Sequence, residues 1–210
     1  MSIKSFLIPI VSFATLLCND EPHKPNTPLV KVHINGGSYL IVHGRTNLTK
    51  FHCQYVKSLS DTLLVRVVPQ EPNKLLLEHA DINLRVMQFD CGNKLITKDF
   101  QKLLRVQDFP ELKIEALDIA SGEDLLKSQN QKQHTGMISS AKISVTIAGR
   151  QNEYNLEVNE PANGSPGTYS GSLHINIRDF GLIPPRKLLG LMKVNENVHI
   201  DFYLNLSFSD

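Results

Sequence analysis

The residues with the widest chemical range in this chain are three cysteines and eight histidines. Two of the cysteines sit in a repeated context, Phe51-His52-Cys53 and Phe89-Asp90-Cys91, with the shared spacing Phe-x-Cys. Residues two apart on a strand point the same way, so each Phe–Cys pair can face one interior where the cysteines meet. In an exported protein such a pair forms a disulfide. In a reducing compartment the two thiols would pack as small hydrophobes. No Cys-x-x-Cys is present, which argues against a redox site. The histidines are scattered. His43 and His52 flank a turn and can approach each other across a hairpin, but no third ligand accompanies them, so no metal site is expected. His174 and His199 fall on outward positions of alternating stretches and read as surface residues. Aspartates and glutamates lie in loops or on wet faces. There is no carboxylate pair, phosphate-cradling loop, nucleophile elbow or His-Glu-x-x-His. No catalytic set and no cofactor is therefore expected.

Composition removes further classes. With 22 Lys and Arg against 21 Asp and Glu, the net charge is +1, so no global field favours nucleic acid. Aromatics are not interleaved with basic residues as a single-strand binder requires. No apolar run beyond the N-terminus approaches the ~20 residues that span a bilayer. The N-terminus itself has the order of an export signal: Lys4, then the apolar run SFLIPIVSFATLL over Ser5 to Leu17, then a polar, proline-rich stretch. Residues 1–18 are expected to be a signal peptide or lipoprotein signal, residues 19–28 a disordered tail, and residues 29–210 one domain. Cleavage after Ala14 fits the small-residue rule. Acylation of Cys18 would instead associate the protein with a membrane, although Leu17 is a poor match before a lipidated cysteine. Either way the expected location is extracytoplasmic, periplasmic or secreted.

The rest of the chain must position these residues, and it reads as β-structure. Val30, Val32 and Ile34 alternate before the turn signal Gly36-Gly37-Ser38, and Tyr39 to His43 follows, which suggests a first hairpin. Gly44 ends that strand, and Phe51, Cys53 and Tyr55 lie on one side of the next. Thr62 to Val68 is nearly continuously apolar, with ambiguous facing, and Pro69 to Asn73 breaks it. Between Asp81 and Cys91 the pattern changes phase: Ile82, Leu84 and Val86 share one face, Met87, Phe89 and Cys91 the other. A β-bulge near Val86 would reconcile the halves. One helix is expected over Lys98 to Val106, with Thr97 as N-cap, Asp99 in the first turn and Phe109-Pro110 as the stop. Ser121 to Thr135 reads as a rim loop. The last third alternates strictly, through Ile143, Val145 and Ile147, then Tyr154, Leu156 and Val158 after the turn Gly149 to Asn152. Leu173, Ile175 and Ile177 continue the pattern, and Ile200, Phe202, Leu204, Leu206 and Phe208 complete it. Such strands bury one face and wet the other. About eight antiparallel strands of this kind fit a closed barrel or a sandwich.

The motifs resemble a known family. Gly44-Arg-Thr-Asn-Leu-Thr-Lys-Phe-His-Cys53 resembles the G-x-T-N-x-x-x-F-x-C opening of a two-cysteine branch of the YceI-like family. Phe89-x-Cys91, the stretch Asp99-Phe-x-x-Leu103 and Phe109-Pro-x-Leu112 resemble its strand, helix and next strand start. Asp179-Phe-Gly-Leu-Ile-Pro-Pro185 and Gly190-Leu-Met-Lys-Val194 resemble its C-terminal end. The match covers roughly Tyr39 to Phe208. The resemblance implies an all-β, lipocalin-like antiparallel barrel of about eight strands with one short α-helix packed at an end. It also implies a non-catalytic carrier or store for a long isoprenoid or other lipid. The chain departs from the branch at Leu48-Thr49, where Val-Asn is usual.

On this reading the inward apolar residues contact the ligand. The candidates are Phe51, Tyr55, Phe89, Phe100, Leu104, Ile143, Val145, Leu173, Ile175, Ile177, Phe202 and Leu204. Arg45, Lys50 and Lys98 are candidates for a charged ligand head at the mouth, or are plain solvated cations. The same apolar residues could instead fill a solid core. That alternative gives an envelope interaction protein docking through the loops Ser121 to Thr135 and Pro161 to Gly167. A third reading is an enzyme using His43, His52 or a free Cys91 at the barrel mouth.

Overall fold

The structure, a computed structural model, describes residues 27, 29–71, 73–121, 138–159, 167–187 and 192–209. The signal and tail stretches, most of the Ser121–Thr135 segment and most of the Pro161–Gly167 turn lie outside them.

The strands are β1 (Leu29–Ile34), β2 (Tyr39–Arg45), β3 (Lys50–Tyr55), β4 (Asp61–Glu71), β5 (Lys74–Glu78), β6 (Asp81–Arg85) and β7 (Phe89–Asp90). A helix, α1 (Lys94–Leu103), precedes β8 (Glu111–Ser121), β9 (Ile138–Ile147), β10 (Arg150–Asn159) and β11 (Thr168–Asn176). The short pair β12 (Arg186–Lys187) and β13 (Met192–Lys193) leads to β14 (Asn197–Ser209). The order β1-β4-β5-β8-β9-β10-β11-β14, with β14 returning to β1, closes a ring of eight antiparallel strands. Closure gives every member of the ring a partner on each side, the narrowest junction being β10–β11, where only Val158–Gly171 and Asn159–Ser170 pair.

Two long strands change partner along their length. β14 pairs with β2 through His199–Tyr203 and with β1 through Leu206–Ser209. β8 likewise pairs with β6 through Glu111–Glu115 and with β5 through Asp118–Ala120. The glycine turn at residues 36–37 therefore does not make the expected β1–β2 hairpin. It kinks the chain so that β1 and β2 run end to end along one edge of β14. The Asn35 amide donates to the Asn205 carbonyl (2.7 Å), and the Asn205 amide donates to Ser38 Oγ (3.0 Å), which seals the junction.

Other expectations also need correction. The phase change after Arg85 is a 3-10 turn over Val86–Gln88, not a bulge. Val86 at its start and Phe89 just after it are buried, while Met87 points outward at 59 % exposure. Main-chain bonds to Pro110 and Val56 anchor the turn to the segments on both sides. The helix begins four residues earlier than expected, because Asn93 rather than Thr97 caps it: Asn93 Oδ1 accepts from the Leu95 and Ile96 amides. Thr97 Oγ1 instead accepts from the Cys91 amide (3.0 Å). The helix ends at Leu103, before Phe109-Pro110, where Arg105 takes a positive φ of 57°. β4 does not stop at Pro69 but shifts register there and continues to Glu71. β5, whose Lys-Leu-Leu-Leu-Glu sequence has no alternation, carries no sequence expectation. The β9–β10 hairpin turns on two residues, Ala148 (φ 49°) and Gly149 (φ 76°), one step earlier than expected.

Cys53 and Cys91 form a disulfide across 38 residues of sequence, linking β3 to the segment entering α1. Both are buried. A loop of that length gives about 4 kcal/mol in the chain-entropy account. Paired Cys53→Ala and Cys91→Ala substitutions should therefore lower the melting temperature by roughly 10 °C. Thiol titration in denaturant without reductant should find neither residue reactive.

Tyr154 on β10 packs on Phe180 (6.4 Å between rings), and its hydroxyl is shielded without a hydrogen-bond partner among the described residues. Burial first, then the Asp179 carboxylate, pushes its phenol above the usual value of 10.0. The folded state thus favours the neutral phenol. That contribution is intact below pH 10 and lost as pH rises through the folded value. Tyr154→Phe should raise stability at pH 7 by about 1 kcal/mol, and the variant's advantage in thermal melts should widen above about pH 10.

Candidate functional site

Alternation dictates the interior. Along β4 the apolar run resolves into Leu63, Val65 and Val67 facing in and Leu64 facing out at 53 % exposure. On β8 the inward set changes from Ile114 and Ala116 to Ile119, because the β8–β9 register shifts between Ala116 and Asp118. These side chains do not meet at the centre. They line a cavity of about 440 Å³ whose wall consists only of Ala, Val, Leu, Ile, Phe, Tyr and Gly residues. That volume lies within the ~300–1,000 Å³ typical of small-molecule sites.

Eleven of the twelve residues expected at a ligand are on this wall: Phe51, Phe89, Phe100, Leu104, Ile143, Val145, Leu173, Ile175, Ile177, Phe202 and Leu204. Tyr55 is not. It is buried edge-on against Phe89 (5.2 Å between rings) and borders a smaller polar cleft beside Lys57 and Ser60. The helix supplies Phe100 and Leu103, with Leu104 following, and Phe100 packs on Phe89 (5.3 Å), so α1 is part of the wall. Leu75 and Leu77 of β5 and the β1 residues Val30, Val32 and Ile34 also line it but were absent from the expected set. For β1 the alternation was a usable signal; for β5 three consecutive leucines gave none.

Glycines let the aromatic walls lie flat. Gly44 is not a strand end but sits buried within β2, directly opposite Phe51. A Cβ there would fall 2.4 Å from Phe51 Cζ. Gly171 repeats the arrangement opposite Phe202, with the Glu157 carbonyl 2.7 Å from the same hypothetical Cβ. Only a residue without a side chain permits both contacts.

No charged group lines the cavity. Arg45 and Lys50 are exposed and face each other across β2 and β3, and Lys98 is exposed on α1. Outside, cross-strand ion pairs cover the barrel, among them Arg66–Glu78 (3.2 Å) and Lys142–Glu153 (2.6 Å). The Glu153 carboxylate raises the Lys142 ammonium above its ordinary value, first through their hydrogen bond and then through charge. His43 and His52 do pair across the β2–β3 hairpin, with rings 6.5 Å apart, but on the outer face. Among the described residues no three ligand-type side chains converge on a metal position. No described helix is long and apolar enough to cross a membrane.

Comparison with known proteins now decides the family. Residues 38–206 match the YceI-like domain. The chain belongs to the YceI-like family. No curated protein matches the sequence significantly. Among solved structures, Burkholderia cenocepacia BcnA superposes with a TM-score of 0.52 at 16 % identity, covering 81 % of this chain and 96 % of that one. The Campylobacter jejuni YceI protein gives 0.42 at 13 % identity, covering 70 % and 81 %. The first likeness supports the shared fold. In this YceI-like barrel the close Gly–Phe pairs shape the wall, so Gly171→Ala should cost about 1–3 kcal/mol. Chemical denaturation should show it as a lower midpoint with an unchanged slope.

Proposed function

We propose that this YceI-like protein holds a long-chain amphiphile, an isoprenoid or another lipid, inside the barrel as a carrier or store. The observation that carries the proposal is the wall: about 440 Å³ of cavity with no charged side chain on it. An acyl or isoprenoid chain gains roughly 25 cal/mol for each Å² of apolar surface removed from water, so a dry apolar cavity needs little else to bind it. The same wall offers nothing to stabilise developing charge, which is what an enzyme requires. The alternative of a filled barrel acting only through its loops is disfavoured by the unfilled interior. Arg45, Lys50 and Lys98 remain the proposed partners of a charged head.

The proposed setting is extracytoplasmic, with residues 1–18 acting as the export signal and Cys18 as the point of any lipid attachment. The buried disulfide suits an oxidising compartment.

Native mass spectrometry and organic extraction of the protein purified from its own envelope should release a hydrophobic compound. Ala141→Phe fills the cavity from β9. It should weaken binding of a fluorescent long-chain probe about 10-fold, the ~1.4 kcal/mol carried by ~55 Å² of lost apolar contact. Its melting temperature without ligand should be at least that of the parent. An extract without ligand, together with no probe binding by the parent, would overturn the carrier reading.

A further inference from the structure

The outer face of the barrel carries an arrangement that the cavity does not use. Four histidines from four adjacent strands stand in one row: His52 on β3, His43 on β2, His199 on β14 and His174 on β11. Each is the direct register partner of the next. Ring centroids along the row are 6.5, 5.7 and 4.4 Å apart, so the row tightens towards β11. At its tight end His199 Nδ1 and His174 Nε2 are 2.9 Å apart. His199 Nε2 lies 2.8 Å from Asp201 Oδ1, and the other oxygen of Asp201 lies 2.9 Å from His43 Nε2. His43 Nε2 is buried without a hydrogen-bond partner among the described residues, so its contact with Asp201 is a close approach only.

The carboxylate fixes the tautomer. Asp201 accepts a proton-bearing Nε2 from His199, which leaves His199 Nδ1 with a free lone pair aimed at His174. A carboxylate that orients the remote nitrogen of an imidazole is the usual support of a metal-ligating histidine. We propose that His199 Nδ1 and His174 Nε2 together bind a divalent transition-metal ion on the outer barrel wall, with Asp201 as the positioning residue. At metal–nitrogen distances of ~2.0–2.1 Å, two nitrogens this close subtend about 90° at the ion. Right angles suit the tetragonal or octahedral coordination of Cu²⁺ and Ni²⁺ better than tetrahedral Zn²⁺, and imidazole is a preferred ligand of both. The remaining positions are open to water, since no third protein ligand converges there among the described residues. Binding requires His174 to carry its ring proton on Nδ1 instead of Nε2, a change of tautomer that leaves the ring neutral and releases no net proton.

Charge placement selects this end of the row. Along the strands the neighbours of His52 and His43 on the same face are Lys50, Gln54, Ile41 and Arg45, two of them cations that repel a metal ion although Asp201 also approaches His43. Those of His199 and His174 are Asn197, Asp201, Asn176 and Ser172. The site lies across the sheet from the cavity and stands independently of the lipid reading.

The test is titration of the untagged full chain with NiCl₂ by calorimetry, alongside proton NMR of the histidine rings. One Ni²⁺ should bind per chain, and it should broaden the His174 and His199 resonances while sparing His33 and His79. His174→Ala and His199→Gln should each weaken binding at least ~10-fold, and Asp201→Asn ~10–100-fold. His52→Ala should stay within twofold, and MgCl₂ should not bind. Matching melting curves confirm that the variants fold. Absence of stoichiometric binding by the parent overturns the proposal, as does equal binding by the His174→Ala chain. A loss in His52→Ala as large as in His174→Ala does so too.

Discussion

The pairing of β14 is the interaction on which the rest of the barrel depends. Its thirteen residues meet β11 along one edge and β2 then β1 along the other. No other strand joins the C-terminal hairpins to both N-terminal strands. With β14 in register, Ile200, Phe202, Leu204, Leu206 and Phe208 all face inward. A slip of one residue would exchange them for His199, Asp201, Tyr203, Asn205 and Ser207. The same register sets the outer face, since it places His199 opposite both His43 and His174. One set of main-chain hydrogen bonds therefore fixes an apolar inside and an imidazole row outside.

Why the interior stays hollow follows from ring size and side-chain size. Eight tilted strands enclose a width that bulky side chains can fill, as the alternative reading supposed. Here much of the wall is medium-sized, with Val30, Val32, Val65, Val67, Ala116 and Ala141 facing in. The rings of Phe51 and Phe202 lie back against Gly44 and Gly171. The glycines thus widen the lumen as well as permitting the close contact. A cavity of this kind forgoes the dispersion contacts of a packed core, a cost that an apolar guest offsets.

The end of the barrel near α1 is held by different means. The 3-10 turn at Val86–Gln88 stands between β6 and β7, and the disulfide ties β3 to the start of the helical segment. The aromatic contacts Tyr55–Phe89 and Phe89–Phe100 run from that covalent link into the cavity wall. At the far end of the helical segment, Arg105 lies over the Phe109 ring (4.8 Å), and that ring covers Gly149 in the β9–β10 turn. The helix is thereby positioned at both ends by contacts distant in sequence.

Much of this was legible in the chain because a strand has a period of two and a barrel has one inside. The alternation in β9, β10, β11 and β14 identified the buried face without any knowledge of partners, and the repeated Phe-x-Cys located the disulfide. Where the local pattern was degenerate, as in Leu63 to Val68 or Leu75 to Leu77, only the neighbouring strand could choose the facing. Turn chemistry misled at Gly36-Gly37, because two glycines reverse a chain or merely kink it, and the edge offered by β14 decided which. Asn93 prevailed over Thr97 as helix cap because Thr97 is engaged by the Cys91 amide, a contact that exists only once the disulfide segment is in place. The sequence by itself determined which residues are apolar, how often they recur, and hence that they must share a face. The tertiary structure alone decided that these faces surround a space rather than meet, and that the His43–His52 pair continues into His199 and His174 of two distant strands. Those outcomes depend on strand register and ring closure, which are properties of non-local pairing and leave no mark on any single stretch of residues.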